Sequence, residues 1–249
     1  MLRRTGTLAG ARFALTDRTG GVSRAPYDAL NLGDHVGDDP DAVADNRRRV
    51  AVGLDLDPAA LVFMEQVHGR EVAVIDGPQQ AGDPPVTADA LVTRAAGLGL
   101  VVLVADCVPV LLAGPADDGS GQTVAGVVHA GRKGVELGVV AATLRAMAVL
   151  GAHPHTLRAV IGPAVCGRCY EVSDEMATTV VAAEPATRAR TRAGSPALDL
   201  RAGVLAQLVD AGVRTDAVDI DPWCTYESPE LFSFRRNHRT GRFAGVVLT

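Results

Sequence analysis

Two stretches of the chain are apolar almost without interruption, 101–105 (VVLVA) and 124–128 (VAGVV). Both are rich in β-branched residues and bounded by turn formers. Such runs predict strands buried on both faces. Shorter apolar or alternating runs at 12–16, 62–65, 71–75, 88–93, 157–161, 218–220 and 243–248 predict further strands. Helical spacing of Val135, Val139, Ala142, Ala146 and Val149 predicts one helix over 135–150. Asp39 and Pro40 suit the N-cap and first turn of a helix running to about Val52, with Gly53 as its stop. Ser173 suits the cap of a helix over 174–183, and Gly212 the end of one over 200–211. Residues 26–39 and 76–87 carry neither period and predict loops, and the Arg/Ala-rich segment 184–196 predicts a mobile one. Strands and helices are interspersed without strict βαβ alternation. The expected fold class is therefore α/β (α+β), a single domain over 1–249 with a mixed β-sheet core flanked by helices.

Composition narrows the function classes. The 249 residues are 47% hydrophobic, enough for a large core, and carry a net charge of −5. That charge gives no basic footprint for nucleic acid. The first ten residues lack the apolar segment of a signal peptide, and the most apolar stretch, 98–113, is broken by Asp106 and Pro109 and too short to span a bilayer. Four cysteines do not make a disulfide scaffold. A soluble, cytoplasmic protein is expected.

The chemistry sits at predicted strand ends. Cys107 follows the first apolar run, His129 the second, and His68 lies after the 62–65 run in EQVHG. Two imidazoles and a thiolate suit zinc with one open position, but spacings of 39 and 22 residues match no short zinc motif. The same residues admit a Cys107–His129 nucleophile–base pair, or three side chains that merely pack. Cys166 and Cys169 form a CxxC that fits half a zinc ribbon or a redox motif. No second CxxC completes it, and Cys224 is expected to pack. His153 and His155 flank Pro154 and are expected in solvent. Four arginines within 235–242, beside Phe232 and Phe234, could serve phosphate or simply be solvated.

NLGDHVGDD (31–39), EQVHG (65–69), ADALVT (88–93), ADCVPVLL (105–112), VVHAGRKG (127–134), IGPAVCGRCYEV (161–172) and CTYESPELFSFRRNHRTGRFAG (224–245) occur in that order over most of the chain. This series closely resembles the YfiH-like family, whose members were first called multicopper polyphenol oxidases or laccase-domain proteins and are now described as purine nucleoside phosphorylases. Two blocks depart from the family pattern: HAGWRG is here HAGRKG, with Arg132 and Lys133, and the cysteine usual after IGP is Ala164, with Cys166 two positions on.

The resemblance implies one mixed α/β domain and a zinc site formed by His68, Cys107 and His129. It also implies phosphorolysis of purine nucleosides and methylthioadenosine and deamination of adenosine, with purine nucleosides and phosphate as partners and neither nucleic acid nor membrane. Copper is a competing metal by the older family label, but six histidines are too few for a multicopper centre. For such a reaction Asp106 would orient a ligand or carry a proton. Arg47, His35, Lys133 and Arg235 would form a phosphate cradle with Arg236 behind them, and Gln66 would position base or sugar.

Overall fold

The computed structural model describes residues 1–79 and 83–249; residues 80–82, part of the expected 76–87 loop, lie outside the described residues. In chain order a hairpin, β1 (Leu2–Leu8) and β2 (Ala11–Thr16), precedes helix α1 (Pro40–Gly53). Short strands β3 (Leu61–Val62), β4 (Met64–Glu65), β5 (Val72–Val74) and β6 (Val86–Thr87) follow. The central block is β7 (Ala90–Thr93), β8 (Gly99–Val104), β9 (Val108–Pro115) and β10 (Thr123–Ala130). After it come α2 (Arg132–Leu137), α3 (Val139–Val149), β11 (Arg158–Ile161) and α4 (Asp174–Ala183). The chain closes with β12 (Arg188–Arg190), β13 (Pro196–Leu198), α5 (Leu200–Asp210), β14 (Val218–Ile220), α6 (Phe234–Asn237) and β15 (Phe243–Leu248).

These elements form a mixed α/β single domain in four layers. Of the two large sheets, one runs β1-β2-β15-β8-β3 and the other β14-β11-β9-β10-β7-β5, and β12-β13 and β4-β6 form two small ones. Period-two alternation decides which side chains meet. Leu100, Val102 and Val104 of β8 join Leu111 and Ala113 of β9 between the sheets. Val101 and Leu103 turn outward to Val50 and Ala51 of α1, while Val108, Val110 and Leu112 turn the other way, to Val139, Leu144 and Val204 of the helical layer. Both faces of the central strands are thus covered, which is why their sequence reads as continuous apolar runs. The sheets approach closely at Gly245, where a Cβ would stand 2.9 Å from Leu111 Cδ2.

Several expectations need correction. The helix expected over 135–150 is two helices, because Gly138 at φ 76° ends α2 in the left-handed region before α3 begins. β9 was hidden by Pro109 and Gly114, residues that ordinarily demote a strand; the antiparallel pairing of β9 with β10 accommodates both. β1 is a polar edge strand with little alternation to read. The segment 184–196 holds a 3₁₀ turn and the β12 half of a hairpin rather than a structureless loop. The 62–65 run divides into β3 and β4. Gly53 lies within α1, whose cap is Leu54. Among the described residues, no helix is long and apolar enough to cross a membrane.

Candidate metal centre

β8 belongs to one sheet and β9 to the other, so the three residues between them carry the chain across the sandwich. The crossing is sharp: Asp106 sits at φ 104°, a conformation L side chains rarely adopt. Its carboxylate offsets the strain by tying down a distant segment. Oδ1 accepts from Thr225 Oγ1 at 2.6 Å and Oδ2 from the Arg235 amide at 2.6 Å. Cys107 is displayed on the far side of this turn, half-buried. His129 lies inside β10, paired with Pro109, rather than beyond the strand's end, and is 3% exposed. His68 occupies the β4–β5 loop at φ 59°, a second left-handed residue.

The two loops and β10 bring three donors together. The ligand atoms of His68, Cys107 and His129 all lie within 4.8 Å of one another, with Cys107 Sγ 4.0 Å from His68 Nε2. The two imidazoles meet edge to face, their centroids 4.7 Å apart. Around a tetrahedral zinc, sulfur and nitrogen ligands stand about 3.5 Å apart, so small side-chain adjustments suffice to close on an ion. Two imidazoles and one thiolate fit such an ion chemically.

Asp89, inconspicuous in the sequence as one acid among apolar neighbours, organises this site. It is fully buried. Oδ1 accepts hydrogen bonds from His129 Nδ1–H at 2.8 Å and from the His68 amide at 2.9 Å; Oδ2 accepts from the Gly69 amide at 2.6 Å. One carboxylate therefore fixes the His129 tautomer, leaving Nε2 free for a metal, and shapes the loop that presents His68.

Charge is coupled across the cluster. Burial disfavours the Cys107 thiolate, yet His129 and His68 outweigh it and bring the thiol down to about 6. Burial likewise disfavours charge on His129, but the Cys107 thiolate and Asp89 hold the imidazolium up to about 9. Without metal, the pair is thiolate and imidazolium from about pH 6 to about pH 9. A metal needs His129 neutral, so its binding must expel that proton. Zinc affinity is expected to rise about tenfold per pH unit across this window and to level off above it. Competition titrations at stepped pH check this; a flat profile contradicts the pairing.

All three donors line a cavity of ≈ 390 Å³, together with His35, Gln66, Asp106, Tyr170, Phe234, Arg235 and Arg242. The volume suits a small-molecule ligand. The Arg235 guanidinium lies 5.1 Å from the Tyr170 ring centroid. Gln66 lines the wall but spends its amide on Leu103, donating to its carbonyl at 2.8 Å and accepting from its N–H at 2.9 Å. Arg242 is one of the four arginines noted within 235–242, and Tyr170 lies inside the 161–172 block without having drawn attention as a site residue.

Three residues expected in the phosphate cradle lie elsewhere. Arg47 donates to the Leu32 carbonyl at 2.9 Å, pairs with Asp34 at 3.2 Å and stacks on Phe63, so it holds the 31–36 loop. Arg236 is consumed by the carbonyls of Thr225, Tyr226, Ser228 and Leu231. Lys133 is exposed on α2 beside a different groove. Formal charge shows in a sequence, but the partner that consumes it does not.

Gly131 gives a steric test. A Cβ there would stand 3.1 Å from Cys107 Sγ and 3.1 Å from His68 Cδ2, while its backbone, φ −75° and ψ 173°, suits any residue. Gly131→Ala is therefore expected to fold normally and weaken zinc binding by about tenfold, since crowding one methyl into a packed site costs 1–3 kcal/mol. Unchanged affinity in a competition titration would place the ion elsewhere.

Comparison with known proteins follows the same lines. A family model described as multi-copper polyphenol oxidoreductase laccase matches residues 12–249. A purine nucleoside phosphorylase of Streptomyces coelicolor is 55% identical over 248 residues, covering 99% of both chains. One of Corynebacterium glutamicum is 50% identical over 236 residues, 95% of this chain and 93% of that one. Among solved structures, the hypothetical protein YfiH of Bacillus licheniformis superposes with a TM-score of 0.84 at 30% identity, covering 96% of this chain and 93% of that one. YlmD of Geobacillus stearothermophilus gives 0.84 at 32% identity, with 96% and 92% covered.

Proposed function

We propose a zinc-dependent purine nucleoside phosphorylase function for this chain, which belongs to the multi-copper polyphenol oxidoreductase laccase family. In this reading it also phosphorolyses methylthioadenosine and deaminates adenosine. The observation that carries the reading is the convergence of His68, Cys107 and His129 at the wall of a cavity that also holds two arginines and two aromatic rings. The names of its relatives in Streptomyces coelicolor and Corynebacterium glutamicum support the same substrate class.

Zinc, when bound, supplies Lewis-acid chemistry beside the substrate. The rest falls to the chain's own residues. Tyr170 and Phe234 offer ring faces for a purine, and Val104, Ala105 and Val165 keep its surroundings apolar. Arg235 brings a guanidinium fork for phosphate, and Arg242 adds charge beside it while its Nη1 holds the Thr240 and Gly241 carbonyls; His35 also lines the cavity. Asp89 keeps His129 oriented. Asp106 acts as a positioning residue, since both its oxygens are committed to Thr225 and Arg235.

The test is product identification from inosine. Zinc-loaded protein is expected to release hypoxanthine only with phosphate, forming the ribose 1-phosphate, and to convert adenosine to inosine without it. Base release that ignores phosphate would contradict phosphorolysis.

A second reading, a cysteine hydrolase or amidase, draws on the charged Cys107–His129 pair backed by Asp89. Alkylation of Cys107 separates the two: zinc protects the thiol in a metal site and leaves it reactive in a hydrolase. A copper polyphenol oxidase, the older family reading, would use the same three donors, and metal analysis of protein loaded with both ions decides between them.

A further inference from the structure

Cys166, Cys169, Cys224 and Glu227 form a second cluster whose ligand atoms all lie within 4.8 Å of one another. The three cysteines are unpaired, with Cys166 and Cys224 only 7% and 6% exposed. We propose that these four residues form a second, structural zinc site.

The local folding is that of two facing knuckles. In Cys166–Cys169 the amides of Cys169 and Tyr170 both return to the Cys166 carbonyl, at 2.9 and 3.0 Å. In Cys224–Glu227 the amides of Glu227 and Ser228 both return to the Cys224 carbonyl, at 3.2 and 3.0 Å. The CxxC that lacked a partner in sequence therefore has one, written Cys-x-x-Glu. Backbone pairing locks the knuckles together: Ala164 bridges Cys224, and the Thr225 amide donates to the Ala164 carbonyl at 3.1 Å. The Cys166 amide points at Cys224 Sγ, 3.3 Å away. Gly167 is required, because a Cβ there would stand 2.9 Å from the Cβ atoms of both Ala189 and Asp199.

Simple packing accounts poorly for two buried thiols and a half-buried one meeting a carboxylate. Glu227 also pairs with Arg192, a cation that offsets the negative charge of three thiolates and a carboxylate around one divalent ion. Thiolate donors select zinc over magnesium or calcium, and four protein ligands make a closed, structural site. Its place explains its use. The first knuckle lies between Val165 and Tyr170, both cavity residues, and the second contains Thr225, which donates to Asp106. An ion here clips the wall bearing Tyr170 to the segment bearing Arg235.

The site shares no ligand with His68, Cys107 and His129, so either can fail alone. Protein loaded with zinc under reducing conditions and desalted is expected to hold about two zinc ions per chain, one per four- or three-ligand set. Cys169→Ser, at a half-buried position that tolerates the change, is expected to lower this to about one ion and to lower Tm, while Cys107→Ala retains the Cys166–Glu227 ion. Cobalt in the Cys107→Ala protein should give intense thiolate-to-metal charge-transfer absorption, weakened by Cys169→Ser. A Cys107→Ala protein that holds no zinc, or one whose three remaining thiols carry a disulfide after reducing purification, overturns the proposal.

Discussion

Asp89→Ala is expected to lower the free energy of unfolding by about 3–5 kcal/mol, because it strips a buried carboxylate from a charged partner and from loop amides. In a chain of this length each kcal/mol moves Tm by about 2–4 °C, so calorimetry should see a drop near 10 °C. Zinc affinity should fall by about 10–100-fold as well, the usual cost of losing the group that orients a metal-bound histidine. The cause is local: His129 loses the acceptor on Nδ1, and the His68 and Gly69 amides lose theirs. The pH dependence carries a definite sign. Burial pushes the Asp89 carboxyl up, but the His129 bond and the Gly69 and His68 amides more than offset it and hold the group below its ordinary value. Its stabilisation is therefore present above the unfolded value of about 3.9 and is lost as pH falls through the lower folded one. Asp89→Asn separates charge from shape: it should recover part of the stability and little of the zinc affinity. An Asp89→Ala protein with wild-type Tm and zinc affinity would remove Asp89 from the centre of the site.

Cys107→Ala is expected to abolish retention of the ion at His68 and His129 and to reduce turnover by more than about 100-fold, beyond what loss of a supporting residue costs. Folding should survive, since Cys107 is half-buried in a turn held by Asp106 rather than by the thiol. A second readout separates loss of a ligand from a merely structural effect. The Cys107 thiolate is the foremost of the groups raising His129 to about 9, so removing it should bring the imidazole down in an NMR titration of metal-free protein. Cys107→Ser, which restores shape but not a thiolate, should resemble alanine in both readouts. Full activity with stoichiometric zinc would mean that the thiol is not a ligand.

Much of the architecture was legible because burial on two faces writes itself as an apolar run. The strands at 99–104 and 243–248 belong to this class, with one face between the sheets and the other under α1. β9 was obscured by Pro109 and Gly114, although it alternates as strictly as its neighbours. The break at Gly138 was hidden because apolar spacing continues on both sides of it. At the site, the three donors drew attention by residue type. Asp89 did not, because an acid in a predicted strand, 88–93, looks solvated on one face until its four partners are known. The second cluster was half visible: Cys166 and Cys169 stand out as a CxxC, but its partner is the less conspicuous Cys224-x-x-Glu227. Arg47 and Arg236 illustrate the opposite case, cations whose partners only three dimensions reveal, and Lys133 lines a groove away from the site.

The most direct measurement is an anomalous difference map, collected at the zinc edge from crystals grown with the ion. A peak about 2.0–2.3 Å from His68 Nε2, Cys107 Sγ and His129 Nε2 is the predicted result. A map with no peak between these three atoms, from crystals that carry zinc elsewhere, would contradict the account.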